Sequence, residues 1–274
     1  MFEKVTGNSN RTLARSVFKL LGMGVGQHLV TPTSVVAAPQ REWEDLARLD
    51  PLWGILSEKS KQFGKWDVAD FFASGQAEIG ALMRSCGLSA GDNGRALDFG
   101  CGAGRLSKSL RCYFGQVYGV DISEEMVRLA RGYVRDCTFL LNQTDDLKLF
   151  QDNFFDFIYS SIVLQHQPTG EVARRYIAEF VRLVRPNGIV VFQMPYKLSL
   201  RYAIQPRRRL YSLFRRLGVP PDFIYNKLRL DPMRTISLPS EDIAATVSAA
   251  GGRILRSYSD NLHRRSMSYL VTKP

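Results

Sequence analysis

Three glycines at alternate positions follow a short apolar run in "ALDFGCGAGRL", residues 96–106. They are Gly100, Gly102 and Gly104, and Asp98 stands two residues before the first of them. Glycine has no Cβ and accepts positive φ angles, so the chain can turn sharply and a ligand can lie against the backbone. One glycine would satisfy a tight turn alone. Three glycines with a preceding acid predict a ligand-binding turn between a strand and a helix.

A second carboxylate, Asp121, ends the next apolar run, "QVYGVDIS". It follows Gly100 by about twenty residues, which is the spacing of a carboxylate that accepts hydrogen bonds from ribose hydroxyls. The dinucleotide pattern G-x-G-x-x-G needs a glycine at position 105, where this chain has arginine. Asp98 would repel a pyrophosphate but could balance an ammonium group. These residues favour a ligand with a ribose and a cationic amino-acid part over NAD. We expect the Asp121 side chain to point into the crevice, so that its replacement has little effect on folding.

Short apolar runs alternate with helix-type segments from residue 95 onward. Strand-like "RALDFG", "QVYGVDIS", "CTFLLN", "FDFIYSSIVL" and "GIVVFQMP" are separated by segments with helical periodicity. This alternation predicts right-handed crossovers and a parallel sheet, which binds ligands beyond the carboxyl ends of its strands. Ser123 and Ser240 are expected to cap the helices that follow them. "RILRSYS" and "MSYLVTK" are close enough along the chain to pair as antiparallel strands.

Four stretches, "LDFGCGAGRL", "VYGVDIS", "NFFDFIYSSIVLQH" and "LVRPNGIVVF", resemble the successive motifs of class I S-adenosylmethionine-dependent methyltransferases. The resemblance covers residues 93–195. It implies a doubly wound, Rossmann-like α/β fold: a seven-stranded, mostly parallel sheet with an antiparallel last strand. It also implies S-adenosyl-L-methionine as the cofactor, methyl transfer as the reaction and no metal. We predict a methyltransferase domain over 91–274, preceded by an N-terminal extension and helical cap over 1–90.

The resemblance also implies roles for the polar residues of the turn and the second strand. Asp98 and the three glycines would line the methionine part of the cofactor. Asp121 would hold the ribose hydroxyls, and Ile122 would lie against the adenine.

The adenine amino group is read, in many members of the family, by an acid that follows the third strand. This chain has "NQTDD" there, and Gln143 falls in the acid's position. An amide oxygen can accept the same hydrogen bond. Gln143, Thr144 and Asp145 therefore all remain candidates, and a solvated loop is the alternative.

His166 and Gln165 follow the fourth strand in "VLQHQP", at the edge of the sheet where a substrate would bind. A histidine titrates near neutral pH, which suits a general base. A lone histidine without a visible partner is more typical of an orienting or packing residue, and we favour that interpretation. Gln165 and His166 are also candidate substrate contacts.

The segment 196–238 carries ten lysines and arginines against two aspartates, within a chain of formal net charge +11. We call it the basic insert. It is long for a connection from strand to helix, and such connections are usually functional or disordered. Its "RRRLYSLFRR" places four apolar residues at helical spacing beside arginine clusters: Leu210, Leu213, Phe214 and Leu217.

Three interpretations of the basic insert compete. It is a solvated segment packed over the active site, a clamp for an anionic acceptor with Arg207 as a substrate contact, or a patch that binds a membrane or nucleic acid. Its position after the fifth strand favours a cover for the acceptor. Membrane contact through 207–216 ranks second, and nucleic acid is disfavoured.

Aromatic residues are frequent in the predicted cap: Trp53, Phe63, Trp66, Phe71 and Phe72. We expect the cap to pack on the sheet. A lid over the cofactor, with Phe72 and Gly75 near its methionine end, is compatible with that packing. "SVFKLLGMGVGQHLVTPTSVVAAP", residues 16–39, is interrupted by polar residues and proline, so we interpret it as a loosely organised segment rather than a signal peptide.

The composition of the chain restricts the classes of protein to which it could belong. Four cysteines without paired short spacing and three histidines argue against a disulfide framework or a structural zinc site, and favour a reducing cytoplasm. No apolar run is long enough to predict a spanning helix. We therefore expect a methyltransferase that acts on a small-molecule, glycan or lipid-linked acceptor, with oxygen favoured as the methylated atom. If the basic insert is a clamp, the acceptor is expected to be anionic. The alternatives are a cofactor-binding regulatory module without methylation activity and an NAD(P)-dependent oxidoreductase, which Arg105 disfavours.

Overall fold

Seven strands form one sheet in the computed structural model, in the order β3-β2-β1-β4-β5-β7-β6. Neighbouring strands from β3 to β5 pair parallel, and β7 pairs antiparallel with both β5 and β6. The strands are β1 (Arg95–Phe99), β2 (Gln116–Asp121), β3 (Thr138–Leu141), β4 (Phe155–Ser160), β5 (Val184–Pro195), β6 (Arg253–Ser259) and β7 (Ser266–Thr272). The predicted mostly parallel sheet with an antiparallel last strand is confirmed.

The structure describes residues 34–91, 93–259 and 265–274, which all belong to one compact unit, Pro32–Pro274. Residues 16–33 of the segment predicted to be loosely organised lie outside this description. The boundary predicted at residue 90 stays a prediction. Among the described helices, none is both long and apolar enough to cross a bilayer.

Helices cover both faces of the sheet and precede it in the chain. They are α1 (Ser34–Leu49), α2 (Pro51–Ile55), α3 (Val68–Cys86), α4 (Arg105–Leu110), α5 (Glu124–Tyr133), α6 (Gly170–Leu183), α7 (Leu200–Ile204), α8 (Pro206–Arg216) and α9 (Ser240–Ala249). Shorter turns are the 3₁₀ helices Lys59–Lys61 and Leu164–His166 and the π-helix Phe223–Lys227.

The two predicted serine caps have different outcomes. Ser123 caps α5, because its Oγ accepts a hydrogen bond of 3.1 Å from the Met126 amide. The prediction for Ser240 is wrong, since Ser240 is already the first residue of α9 and Pro239 precedes it as the N-cap. The Ser240 hydroxyl instead accepts a hydrogen bond of 2.9 Å from the Tyr269 hydroxyl.

Successive residues of β1 enter different hydrophobic clusters, because side chains of a strand alternate between the faces of a sheet. Ala96 packs with Ile79 of α3 and Leu110 of α4. Leu97 packs in the cluster that contains Ile177 of α6. Both faces of the sheet are therefore buried under helices, as a doubly wound fold requires.

The aromatic residues of the cap are packed against the glycine turn and against each other. Phe71 and Phe72 share a cluster with Cys101 and Ala103 of the turn. Trp53 packs with Tyr225, at a ring-centroid distance of 5.9 Å. The expectation that the cap packs on the sheet is confirmed for Phe71 and Phe72, which share a cluster with Phe139 of β3. Trp53 packs on the basic insert instead.

Candidate functional site

The glycine turn between β1 and α4 has positive φ at each of its three glycines. The φ angles are 75° at Gly100, 51° at Gly102 and 86° at Gly104. A Cβ on Gly100 would lie 2.3 Å from Val163 Cγ2, and a Cβ on Gly102 would lie 2.5 Å from Ile55 Cδ1. A side chain at these positions would suffer both backbone strain and overlap, so the turn needs glycine.

Asp121 ties the end of β2 to this turn. Its Oδ2 accepts a hydrogen bond of 2.9 Å from the Gly102 amide, and its Oδ1 accepts one of 2.9 Å from the Ser123 amide. Burial raises the pKa of the Asp121 carboxyl, and the backbone amides that donate to it act in the opposite direction. Each carboxylate oxygen keeps a lone pair for a further donor. Asp121 therefore shapes the turn and can still bind a ligand.

Asp98 lies buried below the turn. Its Oδ2 accepts a hydrogen bond of 2.6 Å from the Ser107 hydroxyl, while its Oδ1 has no hydrogen-bond partner among the described residues. Burial raises the pKa of Asp98 to about 6, against the opposing effects of Ser107 and of the Arg105 guanidinium. A buried carboxylate with one unpartnered oxygen lacks the counter-charge that would stabilise its ionised form.

A cavity opens at the carboxyl ends of β1, β2 and β4, the edge at which such sheets bind ligands. The strand ends and the loops after them contribute Phe99, Gly100, Gly102, Val120, Asp121, Ile122, Asn142, Ser161, Ile162, Val163, His166 and Gln167 to its lining. The remaining wall comes from helices: Pro39 and Trp43 of α1, Gly54 and Ile55 of α2, Met126 of α5 and Tyr176 of α6. The cavity thus lies between the sheet edge and the N-terminal helices.

The structure brings some of the predicted cofactor residues together at this cavity. Gly100, Gly102, Asp121 and Ile122 line it. Asp98 and Gly104 lie beneath or beside the turn rather than in the lining. Their roles toward a cofactor stay predictions.

The loop after β3 reaches the cavity through Asn142, which is not among the residues predicted to bind the cofactor. Asn142 is buried, and its Nδ2 donates a hydrogen bond of 3.0 Å to the Asp146 carbonyl. Gln143, Thr144 and Asp145 do not line the cavity: the Thr144 hydroxyl donates to Asn142 Oδ1 at 2.9 Å, and Asp145 pairs with Arg175. Asn142 could have been identified from its position directly after β3, which corresponds to that of Asp121 at the end of β2.

His166 lines the cavity with both ring nitrogens in hydrogen-bonding contacts. Its Nδ1 donates to the Arg234 carbonyl, since a carbonyl can only accept. This contact fixes the tautomer of a neutral ring, so that Nε2 accepts from the Gln165 amide at 3.2 Å. The Trp43 ring packs edge-on against the imidazole at a centroid distance of 5.3 Å. These contacts favour an orienting or packing role for His166.

Gln165, Phe72, Gly75 and Arg207 do not line the cavity. A Cβ on Gly75 would lie 2.5 Å from the Arg105 carbonyl oxygen, because α3 packs closely on α4. Arg207 is exposed, and its Nε forms an ion pair of 3.1 Å with Asp231 within the basic insert. The substrate roles of Gln165 and Arg207 stay predictions.

The end of the basic insert runs along the loop that carries His166. The Ile236 amide donates to the Gln165 carbonyl at 2.7 Å, and the Arg234 guanidinium donates to the Pro168 carbonyl at 2.9 Å. Together with the contact from the Arg234 carbonyl to His166, these bonds hold the insert against the edge of the site. Within the described part of the chain, no group of three or more His, Cys, Asp or Glu side chains could hold a metal ion.

Known proteins resemble the central part of the chain. A family model described as a methyltransferase domain matches residues 97–192. Malonyl-[acyl-carrier protein] O-methyltransferase of Serratia marcescens is 29% identical over 138 residues, which cover 50% of this chain and 51% of that protein. Ubiquinone biosynthesis O-methyltransferase of Xanthomonas oryzae pv. oryzae is 32% identical over 98 residues, 34% of this chain and 40% of the relative. The chain thus spans about half, or less, of the length of these relatives.

A solved structure extends the similarity of fold to nearly the whole chain. Magnesium protoporphyrin IX methyltransferase from Synechocystis PCC 6803, solved with bound SAH, superimposes with a TM-score of 0.51 at 18% identity. The match covers 97% of this chain and 100% of that one. At this identity the likeness concerns the fold alone.

Proposed function

We propose that this chain transfers a methyl group from S-adenosylmethionine to an oxygen of a small acceptor. Through its methyltransferase domain at residues 97–192, it belongs to the class I S-adenosylmethionine-dependent methyltransferases. One observation carries the proposal. Gly100 and Gly102 of the glycine turn, and Asp121 at the end of the adjacent strand, meet at one cavity on the carboxyl edge of the sheet.

The residues of the cavity fit S-adenosylmethionine. Asp121 would accept hydrogen bonds from the ribose hydroxyls with the lone pairs that its contacts to Gly102 and Ser123 leave. Ile122 and Met126 would contact the adenine, and the Asn142 amide would form a hydrogen bond with its amino group. Asp98, buried beneath the turn with Oδ1 unpartnered among the described residues, would supply negative charge behind the ammonium group of the cofactor. A dinucleotide fits less well, since Arg105 occupies the third glycine position and is buried in an ion pair with Glu78.

When bound, S-adenosylmethionine supplies an electrophilic methyl group on a sulfonium. The task of the protein is to hold the acceptor in line with that methyl group and to exclude water. Trp43 and Ile55 form an apolar wall for this purpose. His166 is held by the Arg234 carbonyl, and its Nε2 would take a proton only if an acceptor hydroxyl replaced the Gln165 amide there. We therefore assign His166 an orienting role first and a general-base role second.

The acceptor class is inferred from the relatives and from the charge of the insert. Both relatives described above are named as O-methyltransferases, which supports oxygen as the methylated atom. A small-molecule, glycan or lipid-linked acceptor fits the proposal. An anionic acceptor would benefit from the positive charge that Arg208 and Arg234 retain together, because both guanidinium groups share the single carboxylate of Glu42.

Isothermal titration tests the cofactor, and transfer of a labelled methyl group to a panel of acceptors tests the reaction. We expect S-adenosylmethionine to bind and NADH not to bind. Binding of NADH without any heat from S-adenosylmethionine would overturn the proposal. Binding of S-adenosylmethionine without product on any acceptor would favour the regulatory module.

A further inference from the structure

Helix α8 exposes its leucines to solvent. Leu213 is 50% exposed and Leu217, which follows the helix directly, is 69% exposed. Leu210 is exposed on the same side, since residues spaced by three, four and seven share one face of a helix. Of the four apolar residues predicted at helical spacing, Leu210, Leu213 and Phe214 lie in α8 and Leu217 follows it. The three leucines are exposed to solvent.

The opposite face of α8 is fixed to α1 by polar contacts. Arg208 Nη2 lies 2.7 Å from Glu42 Oε1, and Arg215 Nε lies 2.8 Å from Asp45 Oδ2. The buried Tyr211 donates a hydrogen bond of 3.0 Å to the same Asp45 carboxylate. Turning the leucines inward would break all three contacts and leave the Asp45 carboxylate without Arg215 and Tyr211, so these contacts determine the orientation of α8.

Exposed basic side chains accompany the leucines on α8, and further exposed apolar side chains precede them on α7. Arg209 and Arg216 are exposed and form no ion pair with any described residue. Helix α7, joined to α8 through Gln205 alone, exposes three more apolar residues, of which Leu200 is 76% exposed. We call these residues together the α7–α8 face: Leu200, Tyr202, Ile204, Arg209, Leu210, Leu213, Arg216 and Leu217.

We propose that the α7–α8 face docks on the surface of a membrane that contains anionic lipids. Apolar side chains flanked by arginines are the composition of helices that lie in the membrane interface, where the leucines enter the acyl boundary and the arginines meet lipid phosphates. A cluster of apolar residues of this kind is unusual on the surface of a protein that stays in water.

The charge of the face selects this occupant over others. Two copies of the chain packed through this face would bring Arg209 and Arg216 of one copy against those of the other. A nucleic acid would engage the arginines, but it would leave the leucine stripe exposed to water. An anionic bilayer satisfies both kinds of side chain. This docking is independent of the proposed methyl transfer, because no residue of the α7–α8 face lines the cavity.

Sedimentation of the full chain with vesicles tests the proposal. We expect binding to vesicles of phosphatidylcholine and phosphatidylglycerol, weak or no binding to phosphatidylcholine alone, and weaker binding as salt screens the arginines. Each basic residue near an anionic surface strengthens partitioning by about fivefold, so Arg209→Ser with Arg216→Ser should weaken it by about 25-fold. Leu210→Ser, Leu213→Ser and Leu217→Ser together should also abolish most binding. Because these leucines are exposed, the triple variant should retain the thermal melting temperature of the wild type.

Two matched variants separate the face from general effects of charge and hydropathy. Arg84→Ser with Arg135→Ser removes the same charge from exposed positions elsewhere, and Leu255→Ser removes an exposed leucine from β6. Both should bind vesicles as the wild type does. The proposal is overturned if the Arg84 and Arg135 variant loses as much binding as the Arg209 and Arg216 variant, or if the wild type ignores anionic vesicles. It is equally overturned if the leucine variant abolishes a dimer or a nucleic-acid complex while vesicle binding is absent throughout.

Discussion

Asp98 is a buried carboxylate whose ionised form the folded protein disfavours. Its pKa is about 6 in the folded protein, above the value of about 4 expected in the unfolded chain. Between these values the folded state binds more protons than the unfolded state, so the free energy of unfolding falls as pH rises through this window. Above the window the charge destabilises the protein by about 3 kcal/mol.

We therefore predict that Asp98→Asn stabilises the ligand-free protein at neutral pH, by about 1–3 kcal/mol. The neutral amide removes the cost of burying a charge and can still accept the hydrogen bond from Ser107. Urea unfolding at several pH values measures the effect, and the variant should lose the decline that the wild type shows between about pH 4 and pH 6. The same variant should bind S-adenosylmethionine more weakly. A variant that is less stable than the wild type at neutral pH would contradict this account.

Asp121→Asn should weaken S-adenosylmethionine binding by about 10- to 100-fold, because charge-assisted hydrogen bonds to the ribose would be lost. It should also lower the free energy of unfolding by about 1 kcal/mol, since Gly102 or Ser123 would then face an amide donor. The sequence led us to expect little effect on folding; the contacts of this carboxylate to Gly102 and Ser123 show that it also supports the glycine turn. Titration calorimetry and thermal melting measure the two effects.

Asp145→Asn is the matched control for that experiment. Asp145 lies in the loop after β3, but it pairs with Arg175 and does not line the cavity. Its replacement should leave cofactor affinity unchanged. Equal losses of affinity in the two variants would show that Asp121 has no special part in binding.

Local residue patterns predicted the glycine turn because the residues that form it lie within a few positions of one another in the sequence. Gly100 and Gly102 lie in the turn directly after β1, and Asp121 ends β2, so their positions follow from the sheet. Trp43 could not be identified in this way, because its place in the cavity depends on the packing of α1 against His166, far away in the sequence. The prediction that Ser240 caps α9 was wrong for a local reason, since the helix begins at Ser240 and Pro239 is the N-cap residue.

At the scale of elements, the contact between α1 and α8 explains where part of the basic insert's charge goes. Glu42 and Asp45 of α1 pair with arginines of the insert. Composition revealed the excess of positive charge, but not that one side of α8 would be neutralised by a distant helix. Periodicity predicted the helix and could not decide which face turns inward, because both faces carry arginine.

Asp45→Asn should lower the free energy of unfolding by about 1–2 kcal/mol, because Asp45 accepts hydrogen bonds from both Arg215 and the buried Tyr211 hydroxyl. Partial exposure of the Arg215 pair keeps the loss modest. Urea denaturation measures it, with Glu241→Gln on α9 as a control that removes an exposed carboxylate of the same charge. Equal losses from the two variants would mean that net charge, and not this contact, stabilises the fold.

At the scale of the whole molecule, the fold class followed from the sequence because the alternation of strands and helices leaves few arrangements for a parallel sheet. The order β3-β2-β1-β4-β5-β7-β6 brings the ends of β1, β2 and β4 to one edge, as the site requires. The path of the basic insert could not be predicted from the sequence, since it depends on ion pairs between segments that no local pattern connects.

Helix α1 lies between two surfaces: Pro39 and Trp43 face the cavity, and Glu42 and Asp45 hold α8. Helices pack with axes about 8–10 Å apart, so a bilayer that touches the outer side of α8 would be separated from the cavity by little more than two helix layers. An acceptor anchored in that bilayer would reach the site by lateral diffusion within the lipid plane. The rate of methylation would then follow the surface density of the acceptor in the bilayer, and not its concentration in the surrounding volume.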